Sequence, residues 1–106
     1  MKKLPPLSHL QVLVLECLGT GKLSGRELRA ELANNGTKKS GPAFYQLMAR
    51  LEEAGFVEGE KSQKIIEGQI IRERFYRISA AGARAKRETY RFYESLGSSG
   101  QTPARA

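Results

Sequence analysis

Residues 39–55 read KSGPAFYQLMARLEEAG, a stretch with the form of a sharply bounded helix. Ser40 is a candidate N-cap, Pro42 falls in the first turn, and Gly55 stands just past the last one, an asymmetry typical of helix ends. At about 100° per residue, Phe44, Leu47, Met48, Leu51 and Ala54 share one face. The opposite face carries Pro42, Tyr45, Gln46, Ala49, Arg50 and Glu53, with its one carboxylate at the far end. Such a front, small and polar with a cation, can approach base edges closely. Gln46 and Arg50 are the side chains able to make bidentate contacts there, Gln to adenine and Arg to guanine. The plain alternative for Arg50 is a surface ion pair with Glu53. Lys38 and Lys39 precede Ser40, so free helix-start amides and two ammonium groups form a candidate phosphate site. The alternative there is a solvated turn. Tyr45 either donates its hydroxyl to a phosphate or closes the edge of the core.

Beyond Gly55 the pattern turns to strand. Glu67-Gly68 fits a two-residue hairpin turn, and that choice sets the register. Val57 then faces Ile78, Glu58 faces Arg77, Gly59 faces Tyr76, Ile65 faces Ile70 and Ile66 faces Gln69. Lys61 falls opposite Arg74, an unfavourable pair for which a phosphate would be the missing counter-charge. Lys61, Lys64, Arg72 and Arg74 are the hairpin's candidate phosphate contacts. They interleave with Glu60, Glu67 and Glu73, as in many merely exposed hairpins.

On the N-terminal side, a first helix is expected from Ser8 to Leu18, apolar on nearly every side and so central or covered by a second subunit. Gly19 to Lys22 reads as a breaker and Leu23 as a hydrophobic staple. Ser24 and Glu27 have capping-box spacing for a second helix that ends at Asn34-Asn35-Gly36, with Leu28, Leu32 and Ala33 inward. After the hairpin, Ser79 caps a last helix over 80–96. In it Tyr90, Tyr93 and Leu96 form a candidate dimer seam with Leu10, Leu13 and Val14 of the first helix. Residues 1–7 are expected to be an arm and 97–106 a disordered tail.

The chain has 106 residues, a formal charge of +7 and one cysteine. That length suits one domain, and the charge suits a polyanionic partner. Nothing in it approaches the roughly 18 apolar residues of a membrane span. Cys17 cannot form an internal disulfide, which fits a cytoplasmic location, and it reads as a buried core thiol. With His9 the sole histidine, and with neither a phosphate-binding loop nor metal-ligand spacing, no catalytic set, metal or cofactor site can be assembled.

Helix, helix, helix, hairpin, helix is the order of a winged helix-turn-helix, an α+β fold that is mostly α. The runs LSGRELRAELANNG (23–36), SGPAFYQLMARLEEAGFVEGE (40–60) and RFYRISAAGARA (74–85) resemble the PadR family of bacterial transcriptional regulators. Pro42, Tyr45, Leu47, Arg50, Leu51, Glu52, Gly55, Tyr76, Arg77, Ile78, Ser79 and Gly82 carry the resemblance, which covers about Leu7 to Lys86. RLEEAGFV is shared widely among winged helices. The resemblance implies a homodimeric repressor on a near-palindromic operator in double-stranded DNA, in some members responsive to small aromatic compounds. Two features depart from the family pattern. The wing tip carries Ile65, Ile66, Ile70 and Ile71 in place of Gly, Arg and Pro, and a single helix follows the wing. The apolar tip keeps open a winged-helix protein-interaction module, an antirepressor or adaptor; non-specific chromosome organisation is a third possibility.

Overall fold

The computed structural model describes residues 7–98. Apart from Leu7, the expected arm lies outside the described residues, as does the expected tail beyond Ser98. Gly97 and Ser98 themselves belong to the last helix.

The order is α1 (His9–Leu18), β1 (Lys22–Ser24), α2 (Gly25–Asn34), α3 (Gly41–Glu53), β2 (Val57–Ile66), β3 (Gln69–Ile78) and α4 (Ala80–Ser98). Each helix start has a serine cap. Ser24 Oγ accepts from the Glu27 amide at 3.1 Å while the Glu27 carboxylate accepts from the Ser24 amide at 2.9 Å. Ser8 and Gln11 form the same reciprocal box on α1. Ser40 Oγ accepts from Ala43 N. Ser79 Oγ accepts from Gly82 N and donates to the Gly55 carbonyl, so α4 starts pinned to the end of α3. A Cβ on Gly82 would collide with the Phe56 carbonyl.

The hairpin turn is Glu67-Gly68, with φ of 50° and 80°, the two left-handed positions of a type I′ turn. The β2–β3 register matches the expected one at every pair named above, Lys61 opposite Arg74 included. The sheet has a third strand that the sequence reading lacked. Lys22–Ser24, read as the end of a breaker, a staple and a helix cap, pair antiparallel with Phe75–Arg77, in the order β1-β3-β2. Three residues are too few to show an alternation, and only the tertiary pairing makes them a strand.

The core joins Val14, Leu15 and Leu18 of α1 with Leu28 and Leu32 of α2, Phe44, Met48 and Leu51 of α3, and Val57 and Tyr76 of the sheet. The Phe44 and Tyr76 rings meet edge to face, 6.3 Å between centroids, a favoured aromatic geometry. Three expectations need correction. Val14, placed at the dimer seam, is 0% exposed and packs into the protomer's own core. Ala54 and Ala33 are exposed; Ala54 is the C-cap of α3, past the residues whose spacing aims them inward. Cys17 is half-buried at the core margin, its thiol pushed up chiefly by burial and then by Glu31 and Glu16.

Candidate nucleic-acid interface

The front of α3 is open. Pro42, Tyr45, Gln46, Ala49 and Arg50 are all exposed, because Phe44, Met48 and Leu51 take the other side of the helix into the core. Arg50 makes no ion pair with Glu53; among the described residues it has no carboxylate partner. Ahead of the helix, Lys38 is exposed and Lys39 half-buried. The Arg29 guanidinium donates to the Lys39 carbonyl at 3.0 Å, which ties this approach to α2. Tyr45 closes the edge of the core, one of the two readings the sequence left open. Its ring edge packs on Phe44, 5.0 Å between centroids, yet the residue stays 47% exposed. Its hydroxyl reaches the start of α2, only 2.8 Å from where a Cβ on Gly25 would stand.

Strand alternation sorts the charges of the wing. Lys61, Arg72 and Arg74 share a face with Val57 and Tyr76, the core-facing side that looks toward α3. Glu58, Glu60 and Glu73 all lie on the other face, with Lys64 and Arg77. There the charges neutralise one another: Lys64 pairs with Glu73 at 3.3 Å, Arg77 with Glu58 at 3.2 Å, and Lys22 of β1 with Glu60 at 3.3 Å. On the α3 side, Lys61 and Arg72 have no carboxylate partner among the described residues. These two, with Tyr45, Ser62, Gln63, Arg74 and the Lys64-paired Glu73, line an open groove of about 630 Å³ between α3 and the wing. Arg26, at the start of α2, adjoins it beside Tyr45 and Arg72. Nothing in the local pattern of α2 shows Arg26 nearing the wing.

Two wing residues differ from expectation. Lys64 sits on the face away from α3, held by Glu73. Arg74 does not await a phosphate to relieve Lys61: its guanidinium donates to Glu52 of α3 at 2.5 Å. That bond holds the Arg74 pKa above its usual value against the opposing effect of burial.

A second surface runs along α1 and α4. Tyr90, Tyr93 and Leu96 are exposed, Leu10 and Leu13 half-buried, and a recess of about 330 Å³ lies between Val12, Leu13, Thr89, Tyr90 and Tyr93. At its rim the Tyr90 hydroxyl donates to Glu16 at 2.6 Å, with Lys86 at 3.7 Å from the same carboxylate. The Tyr90 bond, and then Lys86, lower the Glu16 pKa. The same bond pushes the Tyr90 phenol up to about 12. The stabilisation from Glu16 is therefore present above the ordinary carboxylate range and lost as pH falls through its lowered value. That from Tyr90 is full below 10 and lost as pH rises from there to about 12,. Tyr90→Phe should return Glu16 toward an ordinary carboxylate titration, followed by carboxyl NMR. At this exposed site it should cost no more than about 1 kcal/mol in urea unfolding.

Among the described residues no group of three or more His, Cys, Asp or Glu could hold a metal ion, and no helix is long and apolar enough to cross a membrane.

Three α-helices, a three-stranded sheet with a projecting hairpin and a closing helix define a winged helix-turn-helix protein. Solved structures with this fold share it closely. A PadR family transcriptional regulator from Eggerthella lenta superposes with a TM-score of 0.63 at 27% identity, over 80% of this chain and 71% of that one. A PadR family regulator from Clostridium difficile gives 0.65 at 16% identity, over 84% and 94%. Bacillus subtilis PadR, solved in complex with operator DNA, gives 0.62 at 17% identity over 92% of this chain, which spans 52% of that protein's length. No family model and no curated protein sequence matches the chain. The chain thus has the winged-helix fold of these PadR-family regulators.

Proposed function

We propose that this chain is a sequence-specific DNA-binding transcriptional regulator, acting as a homodimeric repressor in the cytoplasm. Its third helix enters a major groove with Gln46 and Arg50 at the base edges and Ala49 leaving room for close approach. Pro42, Tyr45, Ser40, Lys38 and Lys39 lie along the flanking phosphates, and Lys61 and Arg72 follow the backbone from the wing. The observation that carries this is the sorting of charge on the hairpin. The strand register puts Glu58, Glu60 and Glu73 on the face opposite Lys61 and Arg72. Glu73 at the groove edge is paired with Lys64, and Lys61 and Arg72 beside the open helix front are left for a polyanion. Bacillus subtilis PadR, a protein of the same fold, was solved in complex with operator DNA, which supports a DNA partner. Leu10, Leu13, Tyr90, Tyr93 and Leu96 supply the dimer seam, without Val14. A two-fold pair of recognition helices calls for a near-palindromic operator with half-sites about 34–36 Å apart.

Fluorescence anisotropy on duplexes that the full chain recovers from a randomised pool, beside a mixed-sequence duplex, tests this. Lys38→Ala, Lys39→Ala and Lys61→Ala should each weaken both duplexes alike and flatten the salt dependence by about one unit. Affinity that ignores salt, or no preference between the duplexes, would remove the specific-regulator reading. The exposed wing tip, with Ile65 71% and Ile70 54% exposed, favours a second reading, a protein-interaction module. Recovery of one defined protein partner without salt-dependent duplex binding would establish it instead.

A further inference from the structure

Glu52 lies in the last turn of α3 and Arg74 in the middle of β3. Their side chains are only 25% and 32% exposed and meet at 2.5 Å, with the guanidinium 5.8 Å from the centre of the Tyr76 ring. Gly59 makes the room. A Cβ there would stand 2.6 Å from the Glu52 carboxylate and 2.7 Å from the Arg74 guanidinium, so the pair rests on bare backbone. Among the described residues it is the one ion pair joining α3 to the hairpin.

The hairpin needs such a tie. Beyond Gly59 it leaves the core, with every residue from Lys61 to Ile70 except Ser62 exposed, and a two-stranded ribbon holds its own orientation poorly. The seven steps from Gly59 to Ile66 make a lever of about 23 Å at roughly 3.3 Å each. A tilt of about 15° at its base moves the tip by about 6 Å, more than the roughly 3.4 Å rise per nucleotide of one strand.

We propose that Glu52, Arg74 and Gly59 form a brace that sets the wing at one angle to α3, so that Lys61 and Arg72 meet the backbone in register with the bases α3 contacts. Arg74 is thereby a positioning residue whose charge is committed to Glu52 rather than to phosphate. The brace rests on the DNA-binding role proposed above.

Simple charge and the brace differ in sign, which makes the test decisive. Glu52→Gln removes a negative charge beside the DNA surface and frees Arg74. Charge alone then gives tighter binding and a salt dependence steeper by about one unit. The brace gives the reverse: affinity about tenfold weaker and a slope shallower by about two units, one each for Lys61 and Arg72. Gly59→Ala changes no charge, displaces the pair and should reproduce the loss. Both variants should melt close to the parent, because the displaced atoms are the ends of flexible side chains. Residual dipolar couplings of the free full chain should give the β2–β3 amides one fixed orientation relative to α3 in the parent and an averaged one in both variants. Tighter binding by Glu52→Gln, unchanged binding by both variants, or unaltered couplings would each overturn the brace. If the parent binds no duplex, the DNA role fails and the couplings alone still decide the brace.

Discussion

Phe44→Ala is expected to remove about 3–5 kcal/mol of folding stability. The ring is 0% exposed, projects from the inner face of α3 and abuts the Tyr76 ring. It thus links the third helix to the sheet that bears the wing. Truncation leaves a cavity against the Tyr76 ring, within the core that α1, α2, α3 and the sheet share. Small domains hold only about 5–15 kcal/mol in total, so one residue accounts for a large share. In thermal terms the loss corresponds to roughly 12–40 °C of melting temperature at about 4–8 °C per kcal/mol. Tyr45→Ala, one position along and 47% exposed, is the control and should cost far less. Urea unfolding of the two variants measures the difference. A Phe44→Ala loss below about 1 kcal/mol would mean that α3 does not turn this face inward.

The second large effect concerns recognition. Gln46→Ala and Arg50→Ala should each cost about 1–3 kcal/mol of discrimination, about five- to 150-fold, on duplexes recovered from the randomised pool. The loss should fall on the preferred duplex, with affinity for the mixed-sequence duplex little changed for Gln46→Ala. Arg50→Ala should add a small general loss, because its cation also adds to the field of the helix front. Both side chains are exposed, and among the described residues neither has an ion-pair or side-chain hydrogen-bond partner that would confuse the outcome. Equal losses on the two duplexes would place these residues on the backbone and move sequence reading elsewhere, to the wing or to the deformability of the DNA.

Legibility tracked the range of the interaction. The Ser24–Glu27 box, the Ser40 cap, the Glu67-Gly68 turn and the pairing from Val57–Ile78 out to Ile66–Gln69 depend on neighbours or on a count of residues from a turn. Each is found where the sequence puts it. The Arg77–Glu58 pair follows from that register and is present at 3.2 Å. Arg74 did not follow. Its cross-strand neighbour Lys61 was visible, but Glu52 approaches only after α3 and the sheet have packed. Val14 failed for a related reason: on a helix apolar nearly all round, periodicity alone does not tell the side meeting its own core from the side left for a partner. Arg26 and Gly25 join the interface by tertiary approach as well.

By itself, then, the amino-acid order decided the helices, their caps, the hairpin and its pairing, because those rest on backbone geometry and on polar groups satisfied within a few residues. It also decided that α3 would carry an apolar back and a polar front. Packing alone decided that Lys22–Ser24 become a strand, that the cationic side of the wing faces α3, and that Arg74 is taken by Glu52. Those outcomes depend on which surfaces are driven together as apolar area leaves water, and no local pattern of residues encodes the distances that result.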